Sequence, residues 1–516
     1  MSQVKIVWFK RDLRIDDHAP LYHAAQNHAE KGGKILPLLV IEPDFWAQPD
    51  SSARQFAFMR ESALSLAQAL RALGAELVVR TGEVCAVLEQ LSGLYEIEGI
   101  YAHQETHNNW TYQRDRAVRS WAQSRGIALY EYQQHGVIRG LKSRTGWAKA
   151  WDSQMSQPCL PAPHRLDCIS DIDTEDMPSA QQLGLPDDPC YGRQIGGSAE
   201  AHTLLDRFLT VSGVNYRTEM SSPVTAPHAC SRISPHLAWG TLSIRTAFQQ
   251  SEIHKKLLAH DQPDSALSPR QRSAFRQSIA SFQSRLHWHC HFIQKLEDQP
   301  SLEWENAHSA YDGIRQQDDV LCSAWLTGMT GYPLVDAVMR CLQDTGWINF
   351  RMRAMVMSFA SYHLWLDWQQ TAPLLARLFV DYEPGIHYSQ AQMQSGTTGI
   401  NTIRIYNPVK QSMEQDPEAS FIRRYIPELD DMPQSLIHTP WLAEDKLGDY
   451  PMPVVDEKKA RQHAASIMHG LRKKLSFASE ADNIQQRHGS RKAGLPRHPR
   501  RQVNVRSRHA GQLELF

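Results

Sequence analysis

The chain has 516 residues, 41% hydrophobic and 22% charged, with a formal net charge of −1. That length favours two or three domains over one core, and that composition excludes a disordered or fibrous chain. No apolar run nears the roughly 20 residues that cross a bilayer, and the eight cysteines form no C-x-x-C pair and follow no secretory signal. Reduced thiols in a soluble, cytoplasmic protein are therefore expected.

The first third reads as strands alternating with helices. Val4–Phe9 (VKIVWF) is an apolar strand, KRDLRIDDH a charged turn, and Ala19–Ala25 the start of a helix. Lys34–Ile41 is a second buried strand, Arg54–Leu73 an amphipathic helix ending before Gly74, and Glu76–Arg80, Gly99–His103 and Ala128–Tyr132 are further strands. This order predicts an α/β, doubly wound parallel sheet over residues 1–132. Residues 133–200, rich in Pro, Ser, Gln and Asp, read as a connecting segment on the surface. From 201 to 475 the strand pattern gives way to helices. Among them are Ala201–Ser212, Pro235–Gln250, Pro269–Leu296, Pro333–Thr345 and Phe350–Trp368. Residues 476–516 read as a basic, disordered tail, with eight Lys/Arg and no acid from Arg487 to Arg508. Such a block favours a polyanionic partner.

There is neither a G-x-G-x-x-G nor a Walker loop, which removes those two routes to nucleotide binding. Instead CSRISPHLAWGTLSIRTAF (Cys230–Phe248) sets hydroxyls and Arg232 ahead of a Pro-started helix, a pattern suited to phosphate. Thr330–Trp368, Leu378–Gln411 and Asp416–Leu429 follow. With the opening WFKRDLR, these motifs resemble the DNA photolyase/cryptochrome family, in the family's order from residue 5 to about 445.

The resemblance implies an all-α, FAD-binding C-terminal domain and light-driven electron transfer from reduced FAD to a pyrimidine dimer flipped out of DNA. It assigns Tyr216, Cys230, Ser231, Arg232, Ile233 and Ser234 to the FAD phosphates. Trp347, Asn349 and Arg353 face the isoalloxazine, Arg353 and Asp381 form the pair that braces it, and Glu383 stands where a second Asp is usual. His387 faces flavin N5. Trp288 and Arg285 belong to the lesion side, and Met393, Lys410 and Gln411 to bound DNA. Trp368 matches the middle member of the electron relay. An antenna chromophore, folate or deazaflavin, is placed in the N-terminal domain, where Glu42, His103 and Glu105 end strands.

The chain departs from the pattern in three places. Arg285 replaces a glutamate that hydrogen-bonds the lesion. The relay position nearest the flavin is Ala391 and the outer one Arg315, which leaves Tyr388, Trp365 or Trp347 as another route. Phe350 replaces the asparagine of an H-N-R triplet. No cysteine follows Cys341, against an iron–sulfur branch. The C-terminal QLELF (Gln512–Phe516) resembles the peptide by which bacterial repair proteins dock on the sliding clamp. The leading expectation is a monomeric photolyase acting on UV-damaged DNA. A cryptochrome-type photoreceptor without repair and a flavoprotein indifferent to light are the alternatives.

Overall fold

Apolar side chains along the first strand serve two cores, because successive residues of a strand point to opposite faces. Val4, Ile6 and Trp8 pack with the helices Val84–Leu94 and Asn109–Ser124, whereas Val7 and Phe9 pack with the helix Ala53–Ala72. A computed structural model of the chain describes residues 2–169, 172–259 and 267–489. Within it β1 (Gln3–Phe9), β2 (Lys34–Ile41), β3 (Val78–Thr81), β4 (Glu96–His103) and β5 (Ala128–Tyr132) form one sheet in the order β3-β2-β1-β4-β5. All four pairings are parallel. Strand order reverses at β1, so the crevice where ligands meet such sheets opens at the carboxyl ends of β1 and β4.

The region expected to be a surface connection is more involved. The helix Trp147–Ser156 buries Trp147, Trp151 and Met155 in the helical core. Leu166 and Glu175 then donate to the carbonyls of Leu73 and Val79 beside the sheet. Downstream the described residues are helical, as expected, but two expected helices are interrupted. Pro235–Gln250 is split into Ser234–Ala238 and Ile244–Leu257 by Gly240, whose φ of +66° ends the first piece. Phe350–Trp368 is α-helical only to Ser358. A π-helical turn, Phe359–His363, follows, and the next helix starts at Trp368. The widened turn keeps all five of its residues buried.

The tail expectation also changes. Leu475–His488 is a helix anchored by Phe477, which stacks on His308 with ring centroids 3.9 Å apart, while Glu480 accepts from the Ser309 amide at 2.7 Å. The rest of the basic block and Gln512–Phe516 lie outside the described residues.

The sheet meets the helical half at the turn after β1. Asp12 accepts from the Lys10 amide (2.7 Å), from His18 Nε2 (2.9 Å) and from His103 Nδ1 (2.7 Å), which fixes the turn from within. Arg14 donates to the Gly240 carbonyl at 2.8 Å, and a Cβ on Gly240 would lie 2.2 Å from the Arg11 carbonyl oxygen. A side chain there combines a left-handed backbone with a backbone clash. Gly240→Ala is therefore expected to cost roughly 2–4 kcal/mol, read as a lowered Tm. Gly93→Ala, with open space around it, serves as the control that leaves Tm near the parent value.

Candidate functional site

Three short stretches build a cradle in the helical half. The first is the loop Cys230–Ile233, between the short helices Ala226–Ala229 and Ser234–Ala238. Arg232 sits there at φ +58°, a conformation that non-glycine residues adopt rarely and that clusters at functional sites. Its carbonyl accepts from Gln194 at 2.8 Å, and its guanidinium lies 3.9 Å over the Trp347 ring. The following helix has only five residues, shorter than the sequence suggested, which leaves side chains and loop amides as the groups that could meet a phosphate.

The second stretch is the start of the helix Phe350–Ser358. Asn349 precedes it and donates to the carbonyls of Met220 and Ser221 at 3.0 and 2.7 Å. One turn in, Arg353 Nη2 donates to both oxygens of Asp381, at 2.9 and 2.7 Å, and the guanidinium lies 4.0 Å over Phe379. The Arg353–Asp381 contact expected from sequence is thus formed.

The third is the entry to the helix Pro384–Ser395. Glu383 pairs with Arg11 of the turn after β1 (3.3 Å) rather than with a cradle arginine. Burial pushes its carboxyl up to about 7 against the pull of that guanidinium. His387 Nε2 sits 2.8 Å from the Ala372 carbonyl oxygen, which accepts only from an N–H. That fixes the tautomer and leaves Nδ1 as an acceptor. Burial holds the ring's pKa down to about 4, so the imidazole is neutral at ordinary pH.

The structure moves one expected residue to new company. Arg285, on the helix Pro269–Asp298, hydrogen-bonds Tyr216 and lies close to Cys230, among the cofactor-side residues. Burial raises the Tyr216 phenol and the Cys230 thiol, each to about 12, so both are neutral. The cradle then holds Arg232, Arg285 and Arg353, with Asp381 paired to Arg353 and Glu383 turned to Arg11. Half-buried guanidinium groups gathered in this way suit an anion. Arg232 Nε, Asn349 Oδ1, Glu383 Oε1 and Ser389 Oγ are buried without a protein partner. These unpartnered atoms beside the arginines fit FAD, with its diphosphate and its hydrogen-bonding ring edge.

Elsewhere, half-buried Trp288 packs on His291 and Phe292 of its own helix, with centroids 4.8 and 5.6 Å away. Met393 is half-buried, and exposed Lys410 pairs with Glu414 at 3.6 Å. Buried Gln411 accepts from Arg351 at 3.4 Å. Arg351 and Arg404, both half-buried, lie near Tyr406, a basic pair that the sequence pattern did not single out. The signal was present as the arginines of INFRMR and NTIRIYN. Phe350, the residue replacing asparagine, stands 38% exposed beside Arg351. In the N-terminal half, His103 ends β4, Glu42 directly follows β2, and Glu105 lies two residues past β4, with Arg114 between the two glutamates. Arg114 is 3.0 Å from Glu42, pairs with Glu105, and rests 5.0 Å from the Trp8 ring.

A parallel α/β half joined to a helical half with a guanidinium-rich cradle defines a protein built around an anionic cofactor. The family model for DNA photolyase matches residues 5–151, and that for the FAD binding domain of DNA photolyase matches residues 282–470. A deoxyribodipyrimidine photo-lyase of Halobacterium salinarum is 28% identical over 497 residues, covering 91% of this chain and 99% of the relative. Cryptochrome-2 of Arabidopsis thaliana is 27% identical over 519 residues, covering 94% and 82%. Among solved structures, a class III photolyase from Agrobacterium tumefaciens superposes with TM-score 0.79 at 25% identity, covering 92% of this chain and 98% of the other. A photolyase from Sulfolobus tokodaii, described with two FAD molecules that imply a novel light-harvesting cofactor, superposes with TM-score 0.72 at 25% identity, covering 90% and 100%. The chain belongs to the photolyase/cryptochrome family and carries its FAD-binding domain.

Two measurements check the cradle. Replacing Arg232 or Arg285 by Leu is expected to weaken FAD binding about 10- to 100-fold, the worth of one charged hydrogen bond, in equilibrium titrations of flavin-stripped protein. In ¹⁵N NMR at pH 6 the His387 ring is expected as the neutral Nε2–H form, protonating only near pH 4.

Proposed function

We propose that the chain is a DNA photolyase that splits UV-induced pyrimidine dimers by FAD-dependent, light-driven electron transfer. The supporting observation is the gathering of Arg232, Arg285 and Arg353 in the cradle, with Arg351 on the helix of Arg353 and both Arg351 and Arg404 near Tyr406 as an outer set. The inner set suits a cofactor diphosphate and the outer set a DNA backbone, whose contacts position the duplex without reading its sequence. Bound reduced FAD would supply the light-excited electron that opens the dimer. The protein's part is to hold that cofactor through Tyr216 and the Cys230–Ser234 loop, Trp347, Asn349, Arg353 and Asp381. It presents neutral His387 and Glu383 beside the ring, and lines the lesion side with Trp288 and Met393. In this reading, residues 1–132, with their antenna chromophore, and residues 201–475 are the two working domains. UV-damaged DNA is the partner, Lys410 and Gln411 belong to its contact surface, and the C-terminal QLELF docks on a sliding clamp.

A second reading, a photoreceptor that keeps the flavin without repair, draws on Arg285. This residue hydrogen-bonds Tyr216 where a photolyase has a glutamate for the lesion. One assay separates the two. Purified protein with reductant and blue light is given an oligonucleotide carrying one cyclobutane thymine dimer. Light-dependent return of intact thymines is expected. Repair of neither this lesion nor a (6-4) lesion, with FAD bound and photoreducible, would assign the chain to the photoreceptors. Arg351→Ala and Arg404→Ala are each expected to weaken DNA binding uniformly across sequences and to lower the salt slope by about 1.

A further inference from the structure

The relay departures leave open how an electron reaches the flavin cradle from outside. Ala391 is aliphatic and cannot carry it. Arg315 is buried, donates to the carbonyls of Ser361 and Ser395 at 2.9 and 2.8 Å, and holds its guanidinium 4.9 Å from the Trp365 ring. An indole gains positive charge when it loses an electron, so a buried cation at that distance opposes oxidation of Trp365. Trp347 has the same handicap, with Arg232 at 3.9 Å.

Tyr388 is placed differently. Its ring packs on His387 (5.4 Å between centroids) and on Trp368 (6.2 Å), so it lies between the cradle and the buried tryptophan. Its hydroxyl donates to Asp50 Oδ2 at 3.4 Å, and the Tyr382 hydroxyl donates to the same oxygen. Asp50 comes from the N-terminal half and is 3% exposed. Phenols lose an electron readily only when the hydroxyl proton can leave with it, and here a carboxylate oxygen waits at each hydroxyl. Burial raises both phenols, which keeps them protonated at rest, and raises Asp50, which makes it a better proton acceptor. The other charged groups facing this cluster are Glu303, which stands near Asp50 and both tyrosines, Arg11, which stands near Asp50, and His107, whose ring is 5.7 Å from Tyr382. On the outer side, Trp368 is 1% exposed and donates from Nε1 to Asn306 Oδ1 at 2.7 Å. Asn306, Gln369 and the 46% exposed Trp304 line a surface cleft of about 600 Å³.

We infer that Tyr388, with Asp50 as its proton acceptor, is the redox-active residue next to the flavin cradle, and that Trp368 refills it from the Trp304 cleft. Tyr388 gives one electron toward the cradle and its hydroxyl proton to Asp50. Trp368 returns an electron to Tyr388, which takes its proton back from Asp50. A dissolved thiol at the cleft then re-reduces Trp368. Over two turns, two thiols become one disulfide, and their two electrons and two protons account for the reduction of FAD. The inference rests on the flavin part of the proposed function and not on repair.

The test uses the FAD-loaded protein under anaerobic blue light with dithiothreitol. The parent protein is expected to show a tyrosyl radical in freeze-quench EPR, with hyperfine lines that narrow when ring-deuterated tyrosine is incorporated. That readout needs no substitution. Tyr388→Phe is expected to lose the signal and to slow photoreduction while keeping its FAD content. Asp50→Asn is expected to lose the slowing that the parent shows in D2O. Trp368→Phe is expected to keep the tyrosyl signal but to block thiol-dependent turnover. The inference is overturned by unchanged photoreduction in Tyr388→Phe. It is equally overturned by a parent radical that is indifferent to tyrosine deuteration, or by bound FAD that does not photoreduce. Repair without a tyrosyl radical would sink the relay and leave the photolyase reading standing, whereas a tyrosyl radical without repair would do the reverse.

Discussion

Arg11, on the charged turn after β1, reaches out of the sheet and donates to the Tyr382 carbonyl at 3.2 Å and to Glu383 at 3.3 Å. This contact ties the carboxyl edge of a parallel sheet to the first residues of the helix Pro384–Ser395. That helix start carries Glu383, His387 and Tyr388, with Asp381 just before it. Because the arginine is itself held in a turn pinned by Asp12, His18 and His103, the cradle inherits the rigidity of the sheet. The same junction brings Asp50, at the end of a loop from β2, against Tyr382 and Tyr388. A site assembled from both halves of the chain is placed only when the two halves meet, and residues without side chains, such as Gly240, are what allow them to meet so closely.

Charge balance orders the rest of the site. Three half-buried guanidinium groups, Arg232, Arg285 and Arg353, gather at the cradle, an arrangement that an anion completes. Cofactor binding and folding of the cradle are therefore coupled, since anything that binds the native state alone stabilises it. The orphaned polar atoms around Asn349, Glu383 and Ser389 make the same demand in hydrogen bonds. Arg285 contributes to this balance although its place in the sequence suggests contact with a lesion. This long side chain, one helical turn before Trp288, reaches Tyr216, whose phenol oxygen accepts from the guanidinium, and lies close to Cys230.

Much of the fold was legible in the sequence because local patterns carry it. Lys34–Ile41, Ala128–Tyr132 and Pro333–Thr345 appear with the bounds that periodicity and proline placement predict. The Arg353–Asp381 pair was legible as well, through the spacing of motifs that resemble a known family. Where the pattern misled, a tertiary contact outweighed it. Phe477 anchors a helix in a stretch whose composition argues for disorder, and three large side chains of Trp147–Ser156 are drawn into the helical core from a segment rich in turn formers. The break of the helix after Ser358 carries no proline or glycine signal, since it comes from packing around the π turn.

The sequence by itself determined the order and type of the elements, the parallel sheet followed by helices, and the residue types of the cradle. Those properties depend on neighbours within a few positions or on motifs kept in order along the chain. Only the tertiary structure decided who those residues meet: Glu383 with Arg11, Arg285 with Tyr216, Arg114 between Glu42 and Glu105, and Asp50 with two tyrosines more than 300 positions away. Partner choice among buried charged and phenolic groups is set by which desolvated atoms can still be paired once the two halves close, and no local pattern records that.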